Sequence, residues 1–284
     1  MTATTVANVK CRIGEGVLYH PEEAAVYWVD IPMGDLYRYT PSTDEYEICR
    51  SGGPIGGFTF QEDGSILLFG SEGQVTVWKD GKSEVIVDGI QDEAGMRFND
   101  VVADPAGRVF AGTMTDDDHT VGRLYRLDRD GTIVELESNV ELPNGMGFSP
   151  DLETFYLVET NTNTIYAYDY DIDSGDITNR SVFSRPDAEW GYDGLTVDSD
   201  GGVWVGLWGG GAVVRLTPAG ELDASITVPA ENVTTLSFGG GGYQTAYVTS
   251  ATYEAPLTDD HAGHLFAVET EYVGRPEYYS RVRV

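Results

Sequence analysis

Lysine is nearly absent from this sequence: among 284 residues it occurs at Lys10, Lys79 and Lys82, and Lys and Arg together number 17 against 47 Asp and Glu, a net charge of −30. A chain so poor in positive charge has no basic face with which to neutralise phosphates, which excludes nucleic acid as a partner. Cysteine is scarce as well. Cys11 and Cys49 are too few for a disulfide framework or a zinc ligand set, and free structural thiols are expected. No run approaches the roughly 18 apolar residues of a membrane span, and the first 20 residues lack a basic-then-apolar signal region. A soluble cytoplasmic protein with no membrane partner is the expectation.

The acidic residues are spread along the whole chain. A partner-binding face would cluster them, whereas adaptation to a salt-rich cytoplasm distributes carboxylates over the surface, where concentrated cations screen their repulsion. The even spread favours salt adaptation, so most of the acids carry no catalytic meaning.

What is present is a repeat. The same position recurs at Glu15, Gly56, Asn99, Asn144, Asp193 and Thr234, and two and four residues beyond it stand almost entirely apolar side chains, such as Val17 and Tyr19 or Leu195 and Val197. The successive spacings are 41, 43, 45, 49 and 41 residues, the length of a four-stranded blade. In the fifth copy, strands are expected over Gly194 to Val197, Val203 to Leu207, Ala212 to Leu216 and Ser225 to Val228, each separated by glycine or turn formers. No window is long enough for an amphipathic helix. The pattern predicts an all-β chain, residues 1–284 forming one six-bladed β-propeller of four antiparallel strands per blade. The sixth copy shows three strands, so the N-terminal segment Thr4 to Lys10 is expected to add its outer strand and close the ring. The segment from Arg275 to Val284 continues no repeat.

The first strand of each propeller blade lines the central channel, which gathers Glu15, Asn99, Asn144 and Asp193 into one ring at one end. Carboxylate and amide oxygens without histidine or thiolate suit one hard divalent ion, Ca²⁺, Mg²⁺ or Mn²⁺ ahead of zinc. Such an ion polarises a carbonyl and acidifies water, the requirement of ester or lactone hydrolysis. Residues of these types also cap strand ends and satisfy loop backbone. Arg97, two residues before Asn99, can orient hydroxyls or stabilise an oxyanion; a salt bridge to a neighbouring acid is the other reading.

Other motifs fail on inspection. Asp171 to Asp176 begins like a calcium loop but has Asp176 at its sixth position and Val182 at its twelfth, which marks a turn. His261 and His264 lack a third ligand. No Gly-x-Ser-x-Gly elbow and no Gly-x-x-x-x-Gly-Lys loop is present, which leaves serine hydrolase and nucleotide-dependent chemistry without support.

The residues resemble the gluconolactonase, senescence marker protein (regucalcin) and luciferin-regenerating enzyme family of six-bladed propellers over nearly the whole chain. The resemblance is carried by Gly14-Glu15-Gly16, by Arg97-Phe98-Asn99-Asp100 with Asp104-Pro105-Ala106-Gly107-Arg108 and Ala111-Gly112-Thr113-Met114, by Asn144-Gly145 with Ser149-Pro150-Asp151, and by Asp193-Gly194 with Trp204-Val205. It implies that Glu15, Asn144 and Asp193 hold a divalent metal, that Arg97 and Asn99 contact a sugar lactone, and that Asp193 doubles as general base or acid. Three departures bear on specificity: Tyr192 in place of a frequent proline, Trp208-Gly209 in place of a more polar pair, and a short loop from Thr115 to Val121 in which Asp118 and His119 edge the pocket. The expected activity is metal-dependent hydrolysis of an aldonolactone to the aldonic acid. The alternatives are a non-catalytic calcium-binding or ligand-sensing propeller and a hydrolase of another ester on the same metal.

Overall fold

Six antiparallel sheets of four strands each are arranged around a common channel in the computed structural model, which describes residues 1–114 and 121–283. The innermost strands are Gly14–His20, Gly57–Phe60, Arg97–Ala103, Pro143–Phe148, Gly191–Val197 and Val233–Gly239, so each recurring position of the sequence opens, or directly precedes, the inner strand of its blade. The expected all-β, six-bladed architecture is the observed one. Among the described residues the helical content is the 3-10 turn Gln91–Glu93, and no helix is long and apolar enough to cross a membrane.

Burial explains the strand chemistry. The second strand of a blade is covered on both faces, as in Ala25–Asp30, where every residue is buried. It therefore reads as a continuous apolar run. The outer strand is open to solvent along most of its length, as in Glu45–Arg50, and carries the charge. Each core cluster draws on two neighbouring blades: Tyr27, Val29 and Leu36 of blade 1 pack against Phe58, Phe60 and Leu68 of blade 2. Trp28 and Trp204 are among the largest fully buried side chains, each contributing on the order of 3 kcal/mol through apolar burial.

The ring closes as the sequence predicts, over a shorter span. Thr4–Ala7 pairs antiparallel with Leu265–Glu269. The chain before it reaches the outer strand of blade 5, where Ala3 N donates to Thr227 O at 2.9 Å and Thr227 N to Met1 O at 2.8 Å. Cys11 and Cys49 are both free, and Asp171 forms a turn, its Oδ1 accepting the backbone N–H of Asp173 and Ser174 at 2.9 and 3.0 Å.

The C-terminal segment, which belongs to no repeat, crosses the face opposite the recurring positions. Gly274 N bonds Tyr243 O at 2.7 Å, Arg275 Nη1 bonds Phe148 O at 3.0 Å, Ser280 N bonds Phe60 O at 2.8 Å and Arg281 N bonds Gly107 O at 2.8 Å. The strap thus ties blades 6, 4, 2 and 3 and closes that end of the channel. The cavity left inside, about 70 Å³, is lined by inner strands and by Arg275, Glu277 and Tyr278.

Candidate metal and substrate site

The inner strands share a local irregularity that aims the ring residues. In five blades the pairing with the second strand slips by one residue at the recurring position: between Glu15 and Leu18, Phe98 and Val101, Pro143 and Met146, Tyr192 and Leu195, and Val233 and Leu236. A bulge leaves a residue outside the ladder and turns its side chain, here toward the axis. The position after each ring residue is glycine in four blades, Gly16, Gly57, Gly145 and Gly194. At three of them the adjoining strands are too close for more: a Cβ would lie 2.8 Å from Val101 Cγ2 at Gly57, 2.2 Å from Leu195 N at Gly145 and 2.3 Å from Thr235 Cβ at Gly194, whereas Gly16 answers to a φ of +58°.

Glu15, Asn99, Asn144 and Asp193 are buried, with 6, 8, 6 and 5% of their surface exposed. Asn144 Nδ2 donates to Thr160 Oγ1 at 3.2 Å, and Thr160 Oγ1 donates to Tyr192 O at 2.9 Å, so the Asn144 amide is held at the seam of blades 4 and 5. Asn144 also shares a hydrogen bond with Asp193. Glu15 Oε2 accepts the N–H of Gly16 at 2.8 Å. Arg97 Nη1 donates to Asn99 Oδ1 at 2.9 Å, and Asn99 Nδ2 donates to Pro143 O at 3.0 Å. All five residues singled out from the sequence therefore meet at one end of the channel. The other two recurring positions hold blades together: Thr234 Oγ1 donates to Gly14 O at 2.6 Å, and a Cβ on Gly56 would lie 1.9 Å from Phe98 O.

Burial, and after it neighbouring carboxyls, set the electrostatics. Burial, then Asp193, then Asp100 push the Glu15 carboxyl well above the usual carboxylate range, while the Gly16 N–H and Arg97 draw it back. Asp193 is raised by burial and by Asp100 and relieved by Asn144. Asp100, which no sequence motif placed in the ring, stands where four blades have glycine; burial pushes it up to about 7, and Val101 N–H bonds its Oδ1 at 2.7 Å. Strict alternation puts Asp100 on the opposite side of the strand from Asn99. The bulge between Phe98 and Val101 turns it into the channel cavity.

A divalent cation fits this donor set. Two carboxylates and an amide converge, every donor is oxygen, and the carboxyls raise one another for want of positive charge. Among the described residues no three His, Cys, Asp or Glu side chains form a cage by themselves, so an ion here needs the Asn144 amide oxygen as well as Glu15 and Asp193. His261 and His264 lie elsewhere, their Nδ1 atoms 3.5 and 3.4 Å from Thr5 Oγ1 in the ring closure. Asp118 and His119 lie outside the described residues.

Known proteins share the sequence and the fold. The chain is 43% identical over 296 residues to a pentonolactonase of Haloferax volcanii, covering 100% of both chains. It is 30% identical over 271 residues to human regucalcin, covering 91% of each. It superposes on a calcium-binding regucalcin from Agrobacterium tumefaciens with a TM-score of 0.93 at 25% identity, over 99% of this chain and 98% of that one. Residues 13–252 match the SMP-30/Gluconolactonase/LRE-like region, and the chain belongs to that family.

Proposed function

We propose that this chain is a metal-dependent lactonase that hydrolyses an aldonolactone, such as a glucono-, xylono- or arabinonolactone, to the aldonic acid. Glu15, Asn144 and Asp193 hold one divalent ion, Ca²⁺, Mg²⁺ or Mn²⁺ ahead of Zn²⁺. When bound, that ion polarises the lactone carbonyl and offsets the charge of the carboxylates. Arg97 and Asn99 order the sugar hydroxyls. Asp193 takes a proton from the attacking water; the ester C–O bond then breaks, and its oxygen receives a proton to become the free hydroxyl of the product acid.

The observation that carries this reading is the Arg97 Nη1 to Asn99 Oδ1 hydrogen bond of 2.9 Å beside the two raised carboxyls. It prepares a rigid donor fork for a polar substrate, which an ion site alone does not require. The pentonolactonase at 43% identity supports the substrate class. The contrasting reading, a calcium-binding propeller without turnover, is favoured by the calcium-binding regucalcin it superposes on. Steady-state hydrolysis of a lactone panel by the parent and by Asp193→Asn separates them: turnover by the parent, lost in the variant, supports the enzyme, and an inactive parent that binds calcium supports the other.

The net charge of −30 supports a salt-rich cytoplasm as the working environment. Its melting temperature is expected to climb as KCl is raised to molar concentrations; full cooperative stability in dilute buffer would sink this part of the reading.

A further inference from the structure

The polar residues of the ring occupy blades 1, 3, 4 and 5, and the mouth is finished differently over blade 6. There Thr234 is consumed in bonds to Gly14 O and Thr249 Oγ1 and presents nothing to a ligand. At the same end of blades 5 and 6 stand two aromatic residues, Trp208 and Tyr253. Trp208 ends the second strand of blade 5, Val203–Trp208, at the same end of the channel as Asp193, its register partner being Gly191. Along that strand Val203, Val205 and Leu207 pack toward blade 4, while Trp204 packs into the cluster shared with blade 6. Trp208 points the same way as Trp204, toward blade 6, because strand residues alternate.

Its ring meets Tyr253, on the loop that follows the second strand of blade 6, with centroids 6.4 Å apart. The guanidinium of Arg12, just ahead of blade 1, lies 5.5 Å over the other ring of the pair, that of Tyr253. The three form one rank across blades 5, 6 and 1. Tyr253 is 41% exposed, yet its backbone is pinned on both sides: Tyr253 N donates to Arg12 O at 2.9 Å and Asn232 Nδ2 donates to Tyr253 O at 2.8 Å. Trp208 is half-buried beside it, and an aromatic pair on a fixed backbone loses little freedom when a ligand settles on it.

We propose that Trp208 and Tyr253 are substrate-selecting residues, forming an apolar wall against which the sugar ring rests by its C–H face while its carbonyl and hydroxyl edge faces the polar ring. The inference rests on the lactonase reading for the identity of the ligand. A sugar lactone has one edge of oxygen atoms and a face of weakly polarised C–H bonds, and this mouth offers a matching polar arc and aromatic arc. The wall touches the part of the ligand that does not react. Its loss therefore acts on binding more than on turnover.

The test compares Trp208→Ala, Trp208→Phe and Tyr253→Ala with the parent, using xylonolactone and gluconolactone as substrates and tryptophan emission as an independent readout. Trp208→Ala and Tyr253→Ala are expected to raise KM about tenfold with kcat changed by less than about threefold, the pattern of lost uniform binding, while Trp208→Phe keeps KM within about threefold. An unchanged KM in either alanine variant at the parent's melting temperature overturns the proposal. Should Trp208→Ala fail to fold, Tyr253→Ala carries the same comparison. Should the parent hydrolyse no lactone, the lactonase reading fails by itself, and emission decides the wall: a saturable change on adding gluconolactone that Trp208→Phe abolishes supports it, and its absence overturns it.

Discussion

Arg97 Nη1 lies 2.9 Å from Asn99 Oδ1 and 3.0 Å from Phe98 O, so the guanidinium is fixed by its own strand. Asn99 in turn is anchored across the blade seam through Pro143 O. The planar fork is what holds the geometry, and an ammonium cannot reproduce it. Arg97→Lys is expected to lower kcat/KM at least about tenfold, equivalent to a lost charge-assisted hydrogen bond, and Asn99→Ala to do the same. Parent-like kinetics in Arg97→Lys would remove the fork from the mechanism.

Glu15 and Asp193 repel each other and Asp100 in the metal-free protein. Added Ca²⁺, Mg²⁺ or Mn²⁺ therefore raises the melting temperature of chelated parent, by about 2.7 kcal/mol of stability at a hundredfold excess over Kd. Glu15→Gln and Asp193→Asn are expected to lose that response while being more stable than the metal-free parent at pH 8, because each removes one buried charge. Calorimetry with and without ions measures both; a variant that still responds in full is not a ligand variant.

Glu277, on the strap, faces Asp100 in the channel. Burial pushes its carboxyl up to about 7 from the ordinary 4.5, with Asp100 adding and Ser237 and Arg275 relieving. A pKa raised in the folded state means stability present below about 4.5 and lost as the pH climbs through about 7. Glu277→Gln is thus expected to match the parent at pH 4 and to exceed it at pH 8 by up to about 3 kcal/mol. Urea unfolding at the two pH values reads the difference, and equal gains at both would contradict the assignment.

Ser280 Oγ lies 2.9 Å from Thr59 Oγ1 and 3.0 Å from Phe60 O, fully buried. Ser280→Ala leaves Thr59 without that partner and is expected to cost about 1–2 kcal/mol. Hydrogen exchange should localise the loosening to blade 2. A loss spread evenly over all blades, or none at all, would show that the strap is not the clamp described.

The propeller and its ring were legible because each blade repeats the same alternation at a spacing of 41 to 49 residues. Asp193 and Asn144 could be aligned without knowing what lay between them. Asp100 was hidden for the same reason: alternation assigns it to the face away from Asn99, and the bulge that reverses this is a break in the ladder that a strict alternation does not show. The strap was also invisible to periodicity, since its partners at Phe60, Gly107 and Phe148 lie more than a hundred residues away and the bonds are to backbone. The predicted closure of the ring over Thr4 to Lys10 was right in kind; its paired span is Thr4–Ala7.

The most direct measurement is the rate of lactone opening by chelated protein, followed by titration of proton release at constant pH, before and after Mn²⁺, Mg²⁺ or Ca²⁺ is restored. Metal-dependent acceleration above spontaneous hydrolysis on at least one of gluconolactone, xylonolactone, arabinonolactone and galactonolactone, absent from Asp193→Asn, is the expected result. No acceleration with any ion on any of the four would contradict a lactonase built on Glu15, Asn144 and Asp193.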